Sequence, residues 1–570
     1  MPPREPERDG PCDLLVLGSG AAGLTAALTA ALAGLKVVVL EHQPLFGGTS
    51  ARSSGTVWIP DSSYLREAGV TDDRAAAERY LDALVGVRGD AAMWRAFLDL
   101  APKMAADLRD RAGIGFRPFM SAADYRQDCP GAAPGGRALE PLAFDGRTLG
   151  DDFSRLAPPI PELMLFGGMM VTRSEAAELL RADRSPRAAL KAARLLAHYA
   201  RDRISHSRGT RLVMGNALVA RLSKACRDRG VDLWTGIRTI RLVRDGRGVS
   251  GVEVERDGGS RLLSAARGVV LAGGGFPADA GWRARELPSP VAEHTPAAPG
   301  ADGSTISLAL EIGAALGPSG RDNALWFPSS IATRPDGSTA VYPHIVLDRP
   351  KPGVIAVDGS GERFVDEAVS YHEFVRAMYR RNAEVPAIPA WLICDRPFIR
   401  TYGLGLIRPR TPSLRKYVAN GYLTEAASLG ELAGKIGVAA ERLQATVARF
   451  NGFARTGVDA DFGRGTGAYE RGNGDPAHGP NPCLGPIETA PFYALALWPT
   501  PLGTSRGLLA DRDARVLDKN GRAIPGLYVC GNDMQSAFGG EYPGAGAQLG
   551  QGMAFGWAAG RHAAGVNAEG

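Results

Sequence analysis

Leu14-Leu15-Val16-Leu17-Gly18-Ser19-Gly20-Ala21-Ala22-Gly23 decides how the rest of this chain is read. Four apolar residues make a short strand of the buried type, and the glycines after them fit a G-x-G-x-x-G turn that opens a helix. Gly18 permits the tight turn, Gly20 lets the backbone approach a pyrophosphate, and Gly23 lets the helix pack on the strand. The first N–H groups of that helix, at Ala21 and Ala22, are then available to phosphate. Residues 21–33 are good helix formers and Gly34 can stop them. A second strand follows at 37–40, and Glu41 at its end is placed to hold a ribose hydroxyl. Residues 12–41 therefore read as a β-α-β nucleotide site.

The segment after Glu41 separates the candidate nucleotides. Gly47-Gly48-Thr49-Ser50-Ala51-Arg52-Ser53-Ser54-Gly55 is a second cluster of small residues. Gly48, Thr49 and Ser50 suit a backbone lying against the flavin side of a long cofactor, which favours FAD over NAD. Strand candidates at 251–255 and 268–272 lead to Gly273-Gly274-Gly275, a turn that closes a nucleotide-binding half, with Gly274 the expected contact. At the far end, Gly526-Leu527-Tyr528-Val529-Cys530-Gly531-Asn532 reads as a strand and turn. It runs on to Gly539-Gly540-Glu541-Tyr542-Pro543-Gly544-Ala545-Gly546, with Gln548 and Leu549 beyond. Gly531, Asn532, Gln548 and Leu549 are expected to complete the FAD site from this remote segment.

Between the ends the texture changes to prolines, aromatics and short segments, and regular strand signals return at 492–496 and 514–517. The expected fold is α/β: a Rossmann-like FAD-binding domain assembled from both chain ends (1–276 and 492–570), with an inserted α+β substrate (catalytic) domain at 277–491.

Bulk properties agree with an ordinary globular chain. At 570 residues it is too long for one core, and 45% hydrophobic with 22% charged residues argues against disorder. A net charge of +5 carries no broad nucleic-acid signal. Cys12, Cys129, Cys226, Cys394, Cys483 and Cys530 include no CxxC pair, so they read as reduced thiols rather than a zinc or disulfide frame. The polar start lacks a signal-peptide core and no apolar run is long enough to span a bilayer, so a cytoplasmic protein is expected. One stretch stands out. Residues 181–211 hold Arg181, Arg184, Arg187, Lys191, Arg194, Arg201, Arg203, Arg208 and Arg211 against only Asp183 and Asp202. Leu190, Ala193, Leu196, Ala200 and Ile204 recur at helical spacing, giving an amphipathic basic helix. Two readings stay open: a surface helix packed on the protein with a solvated basic face, or a peripheral contact with anionic lipid on the inner face of the membrane.

Beyond the nucleotide site, an ordered series of motifs resembles the flavoprotein family that contains fumarate reductases and 3-ketosteroid dehydrogenases, and within it the 3-ketosteroid Δ1-dehydrogenases. The series runs through Gly47–Ser53, Gly55-Thr56-Val57-Trp58-Ile59-Pro60, Gly361-Glu362-Arg363-Phe364-Val365-Asp366-Glu367, Arg449-Phe450-Asn451-Gly452-Phe453-Ala454, Gly474-Asp475-Pro476, Pro480-Asn481-Pro482, Pro501-Leu502-Gly503-Thr504 and Tyr542-Pro543-Gly544-Ala545-Gly546. The resemblance implies non-covalent FAD, because no histidine lies in 46–52. It also implies an apolar 3-ketosteroid substrate and an electron acceptor that is quinone-like or a redox protein, with no metal. Tyr125, Tyr371, Tyr542 and Gly546 fall at the family's catalytic positions. Fumarate reductases place an arginine and a histidine where this chain has Tyr371 and Pro501-Leu502-Gly503-Thr504, although His372 and Arg376 lie nearby. Other readings left open are a related flavoenzyme acting on an enone or enoate, and a 4,5-dehydrogenation of a 5α-3-ketosteroid. The chain departs from the family pattern at Ala122, Glu541, Ala545 and Gln548.

The residue types suit the chemistry. Desaturation beside a ketone removes a proton from the alpha carbon and a hydride from the beta carbon, the hydride going to flavin. Hydrogen-bond donors on the ketone oxygen, here Tyr542 and the Gly546 N–H, stabilise enolate-like charge. Tyr371 is the candidate base, and Tyr125 would donate a hydrogen bond that helps its phenolate form. Trp58, Trp326 and Phe327 are candidates for the pocket wall.

Overall fold

The computed structural model describes residues 12–566 apart from 180, 181, 183, 184 and 257. Arg181, Asp183 and Arg184 of the basic stretch thus lie outside the described residues.

The fold is mixed α/β, built on two principal sheets. In the first, the opening strand Cys12–Leu17 sits at the centre. It pairs in parallel with Val37–Glu41 on one side, Leu14 opposite Val37, and with Gly259–Leu271 on the other, Leu17 opposite Leu271. Asp232–Thr235 extends the sheet beyond Val37–Glu41, and Ala523–Val529 joins it next to Gly259–Leu271, Val270 opposite Tyr528. The chain end therefore enters the sheet two strands from the chain start. Leu14, Val16, Val39, Val270 and Leu271 are fully buried or nearly so, as expected of parallel strands covered on both faces. Each such side chain contributes about 1.5–3 kcal/mol relative to exposure. Gly259–Leu271 is long enough to leave the sheet at its start, where it forms an antiparallel arm with Gly248–Arg256 and Arg238–Asp245.

The second sheet is antiparallel, in the order Thr339–Pro343, Ala324–Thr333, Phe492–Thr504, Ala390–Asp395, Val354–Val357, with Thr424–Ala426 also on Phe492–Thr504. This revises the expectation drawn at residue 492. The strand signal there is real, but Phe492–Thr504 hydrogen-bonds to Ala324–Thr333 and Ala390–Asp395 in the second sheet, and the chain rejoins the first only at Arg515–Leu517. Strand propensity shows that a strand forms; its partner is set by long-range pairing.

Helix Ala547–Ala563 packs along helix Ala21–Leu32, with Gly552, Gly556 and Gly560 against Ala22, Ala26 and Ala30. All six cysteines are free thiols. Among the described residues, no helix is long and apolar enough to cross a membrane, and no cluster of ligating side chains could hold a metal.

Candidate active site

A cavity of about 1530 Å³ runs from the Gly18-Ser19-Gly20 turn to loops of the second sheet. Gly18, Gly20, Ala22, Glu41, Gly48, Thr49, Ser50, Gly274, Gly531, Asn532, Gln548 and Leu549 all line it. Gly18 has φ +113°, and a Cβ there would lie 2.2 Å from the Ala272 carbonyl oxygen, so only glycine fits between the two strand ends. Ala21 and Gly23 do not line the cavity. The Ala21 N–H is taken by the Ser50 hydroxyl at 3.0 Å, and Gly23 faces the Gly18 carbonyl, where it lets helix and strand close up. Glu41 accepts the Ser19 N–H at 3.1 Å and the Ser19 hydroxyl on one oxygen, and the Gln43 N–H at 2.9 Å on the other. Ser19 thus occupies both acceptor sites of one oxygen, and the oxygen facing Gln43 keeps one for a ribose hydroxyl.

Two residues of this half escaped the sequence reading. Ser19 aims Glu41 and also accepts the Gly47 N–H at 2.9 Å, joining the two glycine turns. Asp533 is buried and accepts the Gly273 and Gly275 N–H groups at 2.6 and 2.8 Å and the Thr305 hydroxyl at 2.7 Å. It fastens the Gly273-Gly274-Gly275 turn to the Gly531-Asn532 turn. Only its place directly after Gly531-Asn532 could have flagged it, since its partners lie more than two hundred residues away in the chain. The glycine turns, the aimed carboxylate and the helix N-terminus together fit FAD. The cavity-lining segment 46–52 has no histidine to attach it, so acid precipitation is expected to release the yellow colour to the supernatant. Flavin that stays with peptide after proteolysis would show a covalent bond instead.

Farther along the cavity, the tyrosines drawn from three distant segments meet. The Tyr125 and Tyr371 hydroxyls are 2.6 Å apart. Ring centroids are 5.3 Å apart for Tyr125 and Tyr371, 5.3 Å for Tyr125 and Tyr542, and 5.6 Å for Tyr371 and Tyr542. All three line the cavity and are otherwise buried, with Phe327 against Tyr371 and Tyr469 against Tyr125. Gly546 lines it too, at φ +90°; a Cβ there would meet the Thr56 carbonyl oxygen at 2.2 Å, so no side chain can stand between its N–H and a ligand. No acceptor for that N–H is found among the described residues.

Each tyrosine is held by local structure. Tyr371 opens helix Tyr371–Asn382 after Ser370, whose hydroxyl accepts the Glu373 N–H, so the positive end of the helix lies at the Tyr371 backbone. The turn before it is braced by Arg349, which donates to the carbonyls of Glu367 and Val369 at 2.7 and 3.3 Å. Tyr125 follows Asp124, whose buried carboxylate accepts Trp58 Nε1, the Ala133 N–H and Arg137. The Tyr125 N–H and the Tyr80 hydroxyl both donate to the Pro543 carbonyl, at 3.0 and 2.6 Å, which ties the Tyr125 loop to the Tyr542 turn.

A sequence profile described as "FAD binding domain" matches residues 13–549. The chain belongs to the FAD binding domain family. Among this family, it is 37% identical over 563 residues to the 3-oxosteroid 1-dehydrogenase of Mycolicibacterium smegmatis, covering 96% of each chain. It is 35% identical to the 4-oxocyclohex-2-ene-1-carboxylate 5-dehydrogenase of Sinomonas cyclohexanicum, covering 97% of this chain and 94% of that one. The crystal structure of 3-ketosteroid Δ1-dehydrogenase from Sterolibacterium denitrificans in complex with 1,4-androstadiene-3,17-dione superposes with a TM-score of 0.91 at 36% identity, over 97% of this chain and 99% of that one. The cofactor of this FAD binding domain protein is FAD.

Not every aromatic proposed for the pocket lies in it. Phe327 does; Trp58 and Trp326 are fully buried elsewhere. Trp58 stacks on Phe97 and donates to Asp124, and Trp326 donates to Asp322 at 3.2 Å. Ala122, Ala545 and Gln548, three of the four departures from the family pattern, line the cavity. Glu541 points away from it into a buried cluster with Arg376.

Burial raises all three phenols, Tyr125 and Tyr371 well above the ordinary value and Tyr542 up to about 12, where a hydrogen bond with Tyr371 opposes the rise. A base whose pKa lies above the working range gains deprotonated form tenfold per pH unit. Turnover is therefore expected to climb with pH between about 6 and 9 without a plateau. A flat or falling kcat across that range would rule out a tyrosine base.

Proposed function

We propose that this chain is an FAD-dependent oxidoreductase that desaturates a 3-ketosteroid at the 1,2 position, removing a proton from C2 and a hydride from C1. The observation that carries the reading is the Tyr125–Tyr371–Tyr542–Gly546 constellation on the wall of the FAD cavity. Bound FAD supplies the hydride acceptor. Tyr542 and the Gly546 N–H donate to the ketone oxygen, and as negative charge moves onto that oxygen these bonds strengthen. Tyr371 takes the alpha proton, and Tyr125, 2.6 Å away, donates to the Tyr371 oxygen while it is a phenolate. The aromatic ring contacts with Phe327 and Tyr469 exclude water that would otherwise compete for the hydroxyls.

The cavity supports an apolar substrate. Its outer wall is built by Ile160, Leu163, Met164, Leu165, Met170, Leu179, Ile345, Leu406 and Ile407. Arg376 and His372, the two residues near the fumarate-reductase positions, do not offer a cation to a dicarboxylate. Arg376 is held by Asp322, Glu373 and Glu541, and His372 is pushed well below the ordinary histidine range by burial and by Arg376, so it is neutral. A cyclohexanone carboxylate is the second reading: Lys351 lines the cavity, donating to the Asn473 and Gly474 carbonyls at 2.8 Å each. Anaerobic mixing with a 3-ketosteroid, 4-oxocyclohexanecarboxylate and succinate separates these. Bleaching of the flavin by the steroid, with a 1,2-unsaturated product, is the expected result. Bleaching only by the cyclohexanone acid moves the substrate to that class, a 4,5-unsaturated product moves the reaction, and bleaching by succinate alone overturns the reading. Reoxidation falls to a quinone-like acceptor or a redox protein.

A membrane contact belongs to the same reading. In helix Pro186–Asp202 the apolar stripe Leu190, Ala193, Leu196, Ala200 faces out with Arg187, Lys191, Arg194 and Arg201, while Ala188, Ala192, Leu195 and Tyr199 face the protein. Leu190 and Leu196 are about half exposed, and Ile204 beyond the helix is 85% exposed. The stripe is thus not packed on the core. The basic surface is narrower than the sequence suggested, since Arg208 is buried on Asn216 and Arg211 pairs with Glu175. The Tyr199 hydroxyl donates to the Phe166 carbonyl, joining the helix to the segment whose Leu163–Leu165 and Met170 wall the cavity. An apolar substrate dissolved in lipid would then have a short route inward. Sedimentation with acidic vesicles is expected to be strong at low salt and to fall as the Debye length shortens to about 10 Å at 0.1 M. Changing Arg187, Lys191 and Arg194 to Gln should abolish it. Equal sedimentation with acidic and neutral vesicles would end the idea.

A further inference from the structure

Glu541, a departure from the family pattern, stands directly before Tyr542 yet never reaches the cavity. It is 2% exposed and its Oε2 accepts Arg376 Nη1 at 2.6 Å. The same guanidinium donates Nη2 to the Gly540 carbonyl at 3.0 Å, and Nε to Asp322 Oδ2 at 2.7 Å, with Glu373 3.1 Å from Nη1. Trp326 Nε1 adds a donor to Asp322. On the outer side, Arg88 Nε is 3.0 Å from Glu541 Oε1, an ion-pair contact without hydrogen-bond alignment. Arg376 therefore grips both the side chain and the backbone of the two residues that precede Tyr542.

Arg376 lies on helix Tyr371–Asn382, the helix that Tyr371 opens. One arginine thus joins the helix carrying the base to the turn carrying the ketone donor, across 165 residues of chain. Gly539 and Gly540 on that turn have φ of +61° and +86°, so the turn has little intrinsic preference for one conformation and needs an external hold. A cluster of charges this deep is a poor source of net stability, because the desolvation of each ion offsets most of the Coulomb attraction. What it does supply is fixed geometry: a planar fork with its donors aimed at three carboxylates and a carbonyl.

We infer that Arg376 and Glu541 are positioning residues that set the distance between the Tyr371 and Tyr542 hydroxyls, and so align proton removal with stabilisation of the ketone oxygen. The inference rests on the roles proposed above for those two tyrosines. Loosening the clamp leaves the cavity wall intact but lets the Tyr542 turn wander, and a displacement of the order of 1 Å at a donor is costly in the transition state while it scarcely affects ground-state binding.

The test is steady-state kinetics of E541Q and R376K, with flavin content and thermal midpoint measured on the same preparations. Each variant is expected to lose about tenfold in kcat with KM within about twofold of the parent, full flavin, and an unchanged rise of kcat with pH. The unchanged pH profile separates lost alignment from an altered base. A kcat within twofold of the parent in folded, flavin-loaded E541Q overturns the inference even if the thermal midpoint falls, because the cluster would then be purely structural. A raised KM at constant kcat overturns it as well. R88Q removes only the exposed partner, is expected to fold normally, and should lower kcat less than E541Q does; an equal or larger loss assigns the effect to Arg88 and overturns the Arg376–Glu541 clamp. If the parent protein turns over a 3-ketosteroid and E541Q matches it, only the clamp fails. If the parent turns over no ketone, the proposed function fails and the clamp falls with it.

Discussion

Tyr371→Phe is expected to lower kcat by at least about a hundredfold, the usual contribution of a general base. Phenylalanine keeps the ring, so the contacts with Phe327 and Tyr542 survive and substrate binding should change little. What goes is the one hydroxyl bonded to Tyr125 at 2.6 Å. Tyr125 is left with a buried hydroxyl missing a partner, at a stability cost of about 1–3 kcal/mol, which the folded protein should tolerate. Flavin content is expected to be unchanged, because the cofactor half of the cavity is built from other segments. The rise of kcat with pH should disappear along with the rate. Near-normal turnover of a 3-ketosteroid by the purified variant would remove Tyr371 from the chemistry.

Tyr542→Phe should cost about a hundredfold to a thousandfold in kcat, as loss of one oxyanion donor does elsewhere. Here the pH dependence should persist, because Tyr371 and Tyr125 still face each other. This contrast matters because Tyr542 is the least raised of the three phenols, its hydrogen bond with Tyr371 opposing the effect of burial, so by that order it would ionise before Tyr371. A bound ketone changes the order: its oxygen is an acceptor only, so Tyr542 must keep its proton to donate to it. If Tyr542→Phe loses the pH dependence and Tyr371→Phe keeps it, the two roles are exchanged.

The cluster around Arg376 explains why neither tyrosine could be assigned from its own neighbourhood. The Tyr542 turn is rich in glycine, and the residues that fix it come from the helix after Tyr371 and from the loop bearing Asp322. Asp322, Glu373 and Glu541 read in sequence as ordinary polar residues. Gathered round one guanidinium, they engage Arg376 away from the cavity, so it does not serve a substrate carboxylate.

The nucleotide half was legible in the sequence because its physics is local. A buried strand, a glycine turn, a helix and a terminal acid lie within thirty residues, and the turn's backbone conformation, φ +113° at Gly18, by itself calls for glycine. The tyrosines were legible only through resemblance, since nothing in the composition of their segments says that they meet. Tertiary structure decided the rest. It put Phe492–Thr504 in the second sheet, because strand propensity does not choose a partner. It turned Trp58 and Trp326 inward, because burial of an indole says nothing about which core receives it. It left the stripe of helix Pro186–Asp202 facing outward, where helical spacing gives an amphipathic face but not what covers it. Periodicity and turn chemistry are properties of neighbouring residues and can be read along the chain; the meeting of Tyr125, Tyr371 and Tyr542, and the charges that hold them, are long-range contacts that exist only once the chain has folded.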